Sequence, residues 1–189
     1  MENKMGTMPM KKLLATMSLP IMLSMLIQAC YNIVDSMFVA RYSQEALAAV
    51  SLAFPIQMLI IAVSVGTAVG VNSLLSRRLG EGRMEEVNQA AQHGILLALI
   101  SAAVFAVFGL SAARAFANLF TTSADIASQA ALYIGIVTVF CFGVFVQIVM
   151  ERIMQATGNA VYNMVMQGIG ALVNIILDPI LIFGFFGFP

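Results

Sequence analysis

Nine acidic residues are spread along the 189-residue chain, and only Asp35 and Asp178 fall inside long apolar runs. A carboxylate in such a run is costly unless it faces protein, water or a cation. The residues four positions earlier are also polar, Tyr31 before Asp35 and Asn174 before Asp178. On a helix that spacing puts both members of each pair on one face. Phenol, amide and carboxylate oxygens form a donor set suited to Na⁺ or to a proton network, and paired carboxylates hold protons more tightly or share a hard cation. Two plainer readings stay open at this point. Each carboxylate could reach headgroup water near an interface, or the four residues could be a structural network with no transport role.

The elements that must position these groups are membrane helices. Hydrophobic residues make up 61% of the chain and charged residues 10%, with mean hydropathy +0.96. Soluble domains carry about 25% charged residues. So few charges could not cover this much apolar surface in water, whereas lipid solvates it directly. Five runs are long enough to span a bilayer, which takes about 20 helical residues: 13–39, 47–76, 94–115, 127–150 and 162–183. The chain is therefore expected to be all-α, a polytopic transmembrane helix bundle with a tail at 1–12 and a membrane region at 13–189. Seven basic residues (Lys4, Lys11, Lys12, Arg77, Arg78, Arg83 and Arg152) fall on one side of these spans and two, Arg41 and Arg114, on the other. That bias predicts a cytoplasmic amino terminus. Asp35 and Asp178 then lie at similar depth in the outer half of the bilayer. The first run is too long for a cleaved signal and lacks a small-x-small site.

Other features are less specific. Pro20, Pro55 and Pro179 fall within the runs, where each removes a backbone donor and can bend its helix. Gly66 and Gly70, like Gly168 and Gly170, read as close helix contacts. Cys30 and Cys141 have no metal-ligand spacing and read as small apolar residues. His93 reads as interfacial, and most of the 14 methionines as core. Zero net charge argues against nucleic acid as a partner. No nucleophile–base pair, zinc signature or phosphate loop is present, so an enzyme is not expected.

Three stretches resemble the bacterial multidrug and toxic compound extrusion (MATE) transporters: YNIVDSMFVARYSQEALAAVSLAFPIQML, GTAVGVNSLLSRRLGEG and ALVNIILDPILIFG. The resemblance implies a fold with twelve spans in two six-helix lobes, of which this chain supplies five complete spans of the amino-terminal lobe. It implies a secondary antiporter in the bacterial inner membrane, a monomer when full length, that exports cationic or amphipathic drugs in exchange for Na⁺ or H⁺ and needs no cofactor. It also implies a cation or proton site at Asp35, Tyr31, Asn174 and Asp178, with Na⁺ at Asp35, Asn174 and Asp178, and helix bending at Pro20. Alternatives are a flippase for a lipid-linked polyanion, disfavoured because the spans hold no basic residue except Arg114 at the end of the third, and a non-transporting membrane scaffold. If the antiporter reading holds, the native gene product purified from its own membrane should have an intact mass of about twice 20.2 kDa or more; a mass near 20.2 kDa would favour the scaffold.

Overall fold

The computed structural model describes residues 8–182, and every regular element among them is helical. The helices are α1 (Met10–Tyr42), α2 (Gln44–Gly80), α3 (Met84–Phe120), α4 (Ala124–Val139), α5 (Phe142–Ala156) and α6 (Ala160–Ile182). Four are long and apolar enough to cross a bilayer, and α4 with α5 form a fifth candidate, bent by 44°. The expected all-α polytopic bundle is the fold observed. Side chains such as Leu110 and Leu119 are 77% and 80% exposed, a state that lipid rather than water would solvate. The end of the fifth predicted run, at Phe183, lies outside the described residues, as do Lys4 and Phe188–Pro189.

The chain divides into two compact units, one comprising residues up to 44 and from 157 onward, the other residues 45–156. In the first, α1 and α6 pack along each other. The half-buried and buried positions of α1 (Leu13, Met17, Pro20, Ser24, Ile27, Tyr31) recur every three or four residues, which makes one stripe on a helix. Leu- and Met-rich composition favours the helix. It starts just after Pro9, whose carbonyl accepts the Leu13 N–H at 3.0 Å. Pro20 and Pro179 both lie within continuous helices. The buried Ser24 hydroxyl donates to the Pro20 carbonyl at 2.9 Å, satisfying itself on its own helix.

In the second unit α3 is central, packing against α4 and α5. Its buried positions are Ala90, Gly94, Ala98, Ala102, Gly109, Ala113 and Ala117, a seam with no large side chain. Small residues let helix backbones approach, which in lipid is the main source of helix association. Facing side chains fill the gap, with Phe145, Ile134 and Val149 fully buried. Phe105 and Phe145 meet with ring centroids 5.7 Å apart.

The fourth predicted span is one run in sequence but two helices in the structure. The break at Phe140–Cys141 contains no proline. The Thr138 hydroxyl donates to the Ile134 carbonyl at 2.7 Å and lies 3.1 Å from that of Gly135, the local competition with backbone bonding that bends helices. Cys141 Sγ then points across to the Ala102 carbonyl at 3.7 Å. The α2–α3 connection is shorter than its sequence predicts, only Glu81–Arg83, because both helices extend into the charged stretch. Arg78 pairs with Glu81 at 2.8 Å and with Glu86 at 3.0 Å, and Arg83 with Glu86 at 3.2 Å. Such short-range pairs support helix ends, and hydrogen bonds from Arg78 and Arg77 hold the Glu81 carboxyl below its ordinary 4.5. Gly82 turns the chain with φ +73°.

The two kinds of glycine should respond oppositely to a methyl group. A Cβ at Gly109 would overlap Thr138, whose hydroxyl is already committed, whereas one at Gly70 meets nothing within 4 Å. Gly109→Ala should destabilise by about 1–3 kcal/mol. Gly70→Ala should be neutral or stabilising by about 0.5–1 kcal/mol. Denaturant titration of the micelle-solubilised protein measures both.

Candidate functional site

All four chemistry-bearing residues singled out in the sequence belong to the first unit, on the two helices that pack together in it. Tyr31 and Asp35 are half-buried on α1 and continue the inward stripe that begins at Leu13; Ile33 and Met37, on the opposite side, are 62% and 53% exposed. On α6 the buried Ala160, Asn163 and Ala171 mark the inward face, and Asp178 lies seven residues beyond Ala171 on that face, half-buried. Asn174 falls in the same register but is exposed. The structure thus places Tyr31, Asp35 and Asp178 half-buried on two helices that pack together, and leaves Asn174 exposed.

Asp178 carries the most informative atom. Its Oδ2 is buried and has no hydrogen-bond partner among the described residues. A buried acceptor without a donor costs about 1–3 kcal/mol. A proton or a cation would supply what the protein does not. Pro179 adds a backbone acceptor nearby, because a proline nitrogen cannot donate to the carbonyl four residues earlier, that of Ile175. Two carboxylates, a phenol and a freed carbonyl are oxygen donors of the kind that suits Na⁺ or H⁺. Among the described residues no cluster of three or more His, Cys, Asp or Glu side chains forms a metal site.

Sequence reasoning passed over a second set of polar residues. Within residues 45–156, Gln57 Nε2 donates to Tyr133 Oη at 3.0 Å, tying α2 to α4, and Asn72 Nδ2 donates to the Arg152 carbonyl at 2.8 Å, tying α2 to α5. Arg152, placed after the fourth span by its sequence, lies inside α5, half-buried, and its Nη1 donates to Gln155 Oε1 at 2.7 Å. Its Nε is buried and has no partner among the described residues. The signal was present, since Gln57, Asn72 and Tyr133 interrupt apolar runs as Asp35 does, but amides and phenols interrupt them more quietly than carboxylates.

Four long apolar helices and a bent fifth pair define an all-helical, multi-pass membrane protein. The MatE family model matches residues 20–180, and the chain belongs to this family of multidrug and toxic compound extrusion transporters. It is 26% identical over 186 residues to an FAD transporter of Shewanella oneidensis, covering 96% of this chain and 40% of that protein. It is 25% identical over 181 residues to a probable multidrug resistance protein NorM of Thermotoga maritima, covering 95% and 39%. Among solved structures, a MOP superfamily transporter from Pyrococcus furiosus superposes with TM-score 0.87 at 31% identity, covering 94% of this chain and 39% of that one. An outward-facing multidrug resistance MATE transporter gives 0.84 at 31%, covering 94% and 40%. The chain spans about two fifths of the length of the relatives it matches.

If Asp178 Oδ2 is an unmet acceptor, Asp178→Leu should stabilise the purified protein by about 1–3 kcal/mol in alkaline, Na⁺-free buffer. A lower unfolding midpoint for the variant would show that the carboxylate is already paired.

Proposed function

We propose that this chain is the ion-coupling part of a secondary antiporter that expels cationic or amphipathic compounds from the cell in exchange for Na⁺ or H⁺. The single observation that carries the reading is the buried Oδ2 of Asp178, without a partner among the described residues, on a helix packed against the one that carries Asp35. Two carboxylates on packed helices in a poorly solvated place favour uptake of one positive charge. Asp35 and Asp178 bind the coupling ion, Tyr31 and Asn174 complete its shell, and the inward stripe of α1 and α6 holds them in register. Exposed Asn174 joins the shell through a rotamer change or a small rotation of α6. Pro20 and Pro179 interrupt backbone bonding on either side of the site, which gives the two helices places to bend as the ion enters.

Coupling follows from linkage. An ion that binds one packing of α1 and α6 more tightly shifts the population toward it, and by reciprocity a drug that favours the other packing expels the ion. The positive-inside bias supports an inner-membrane protein with a cytoplasmic amino terminus. Residues 13–189 are read as the amino-terminal lobe, and the full export cycle is assigned to the longer relatives' architecture.

The Shewanella oneidensis relative favours a second reading, export of a flavin nucleotide, an anion. Competition separates them: an organic cation should displace transport in the first case and free flavin nucleotide in the second. For the ion site itself, Asp35→Asn should lower ion-driven efflux by about ten-fold or more (at least 1.4 kcal/mol) in vesicles while membrane insertion stays normal. Coupled efflux at the wild-type rate in that variant would remove Asp35 from the mechanism.

A further inference from the structure

Gly66 and Gly70 lie one turn apart on α2, a spacing that reads in sequence as a close helix contact. In the structure a Cβ at either position meets nothing within 4 Å. Within residues 45–156 the pair seats no neighbouring helix; it lines an open groove of about 550 Å³ between α2 and α3. Close approach occurs deeper, where a Cβ on Gly94 would come within 2.8 Å of Val71.

The groove has a polar mouth and an apolar length. Arg78 and Glu86 line one end, and Gly66, Gly70, Leu74 and Leu97 line the rest, with Thr67 and His93 as its polar interruptions. Twelve residues of α2 separate Gly66 from Arg78, about 18 Å at the helical rise. That is close to the hydrocarbon depth of one leaflet, about half of 30 Å. The mouth carries both signs of charge. Arg78 uses two of its guanidinium N–H groups on Glu81 and Glu86, which leaves donors for an anion. The half-buried Glu86 accepts from Arg78 and Arg83 and keeps free lone pairs for a cation.

An apolar slot one leaflet deep with a cation and an anion at its rim matches a zwitterionic amphiphile. We infer that the groove binds one chain of an aminophospholipid from the leaflet at the arginine-rich end of the α2–α3 hairpin, with the phosphate at Arg78 and the ammonium at Glu86. An anionic lipid without an amine would leave Glu86 facing its phosphate, and a simple cation would meet Arg78. The site lies on different helices from the Asp35–Asp178 pair, so its test is independent of the ion site.

The test is native mass spectrometry of the full-length native chain released from bilayers of equal phosphatidylethanolamine and phosphatidylglycerol. The wild type should retain phosphatidylethanolamine in preference. Gly70→Leu, which places its side chain in open space, should lower the retained lipid by about ten-fold, the worth of roughly two methylene contacts. Glu86→Gln should retain lipid but lose the preference between the two headgroups. Equal retention of both lipids by the wild type would overturn the inference. So would a wild type that carries no lipid because a further segment of its own chain fills the groove, or a Gly70→Leu variant that binds as the wild type does.

Discussion

Hydrocarbon offers no hydrogen bonds, so each polar group carried into it must find its partner within the protein. Much of the structure follows from that constraint. Ser24, Ser51, Ser64 and Thr138 return their hydroxyls to carbonyls of their own helices. Gln57 and Asn72 spend their amides on neighbouring helices instead, and so hold α2 to α4 and α5. Against this background of satisfied groups, the Asp178 oxygen stands out, with Arg152 Nε, as a buried polar atom without a partner among the described residues. The rule that assembles the bundle is also what marks the place where an ion would be useful.

The same economy explains how the helices pack. Where apolar surface can remain in lipid, burying it gives little net gain, and van der Waals fit between backbones takes over. The alanine and glycine seam of α3 meets that need for α4 and α5. Gly109 belongs to it, pressed against Thr138. Gly66 and Gly70 have the same sequence signature and the opposite role, because their faces open onto a groove. A glycine spacing records that a backbone is bare, not what lies against it.

The sequence made the class of fold legible because hydropathy alone separates lipid-facing helices from connections. It also singled out Asp35 and Asp178, since an ionised group in an apolar run has few inexpensive explanations. Helix register then predicted a common face for Tyr31 with Asp35, and both do lie half-buried on one stripe. Register could not foresee that Asn174 would be exposed, because exposure depends on the rotation and separation of two helices and not on spacing along one. The break at Phe140–Cys141 was invisible for a different reason. A threonine hydroxyl competing for carbonyls and a thiol reaching a neighbouring helix accompany it, and neither puts a proline in the sequence. The charged stretch after α2 misled in the other direction: its mixed arginines and glutamates resemble a loop but pair along helix ends.

The lengths of α2 and α3 carry a consequence of another kind. Each has 37 residues, which is about 55 Å of helix against a hydrocarbon layer of about 30 Å. Tilting to the steepest angle usual for such helices, about 40°, accommodates only about 40 Å. Some 15 Å of each rod must therefore emerge into headgroups or water. The hairpin tip at Glu81–Arg83, linked by its ion pairs, is then an emerging end beside the headgroups, where an antibody fragment or a fiducial protein could grip the molecule from the water side.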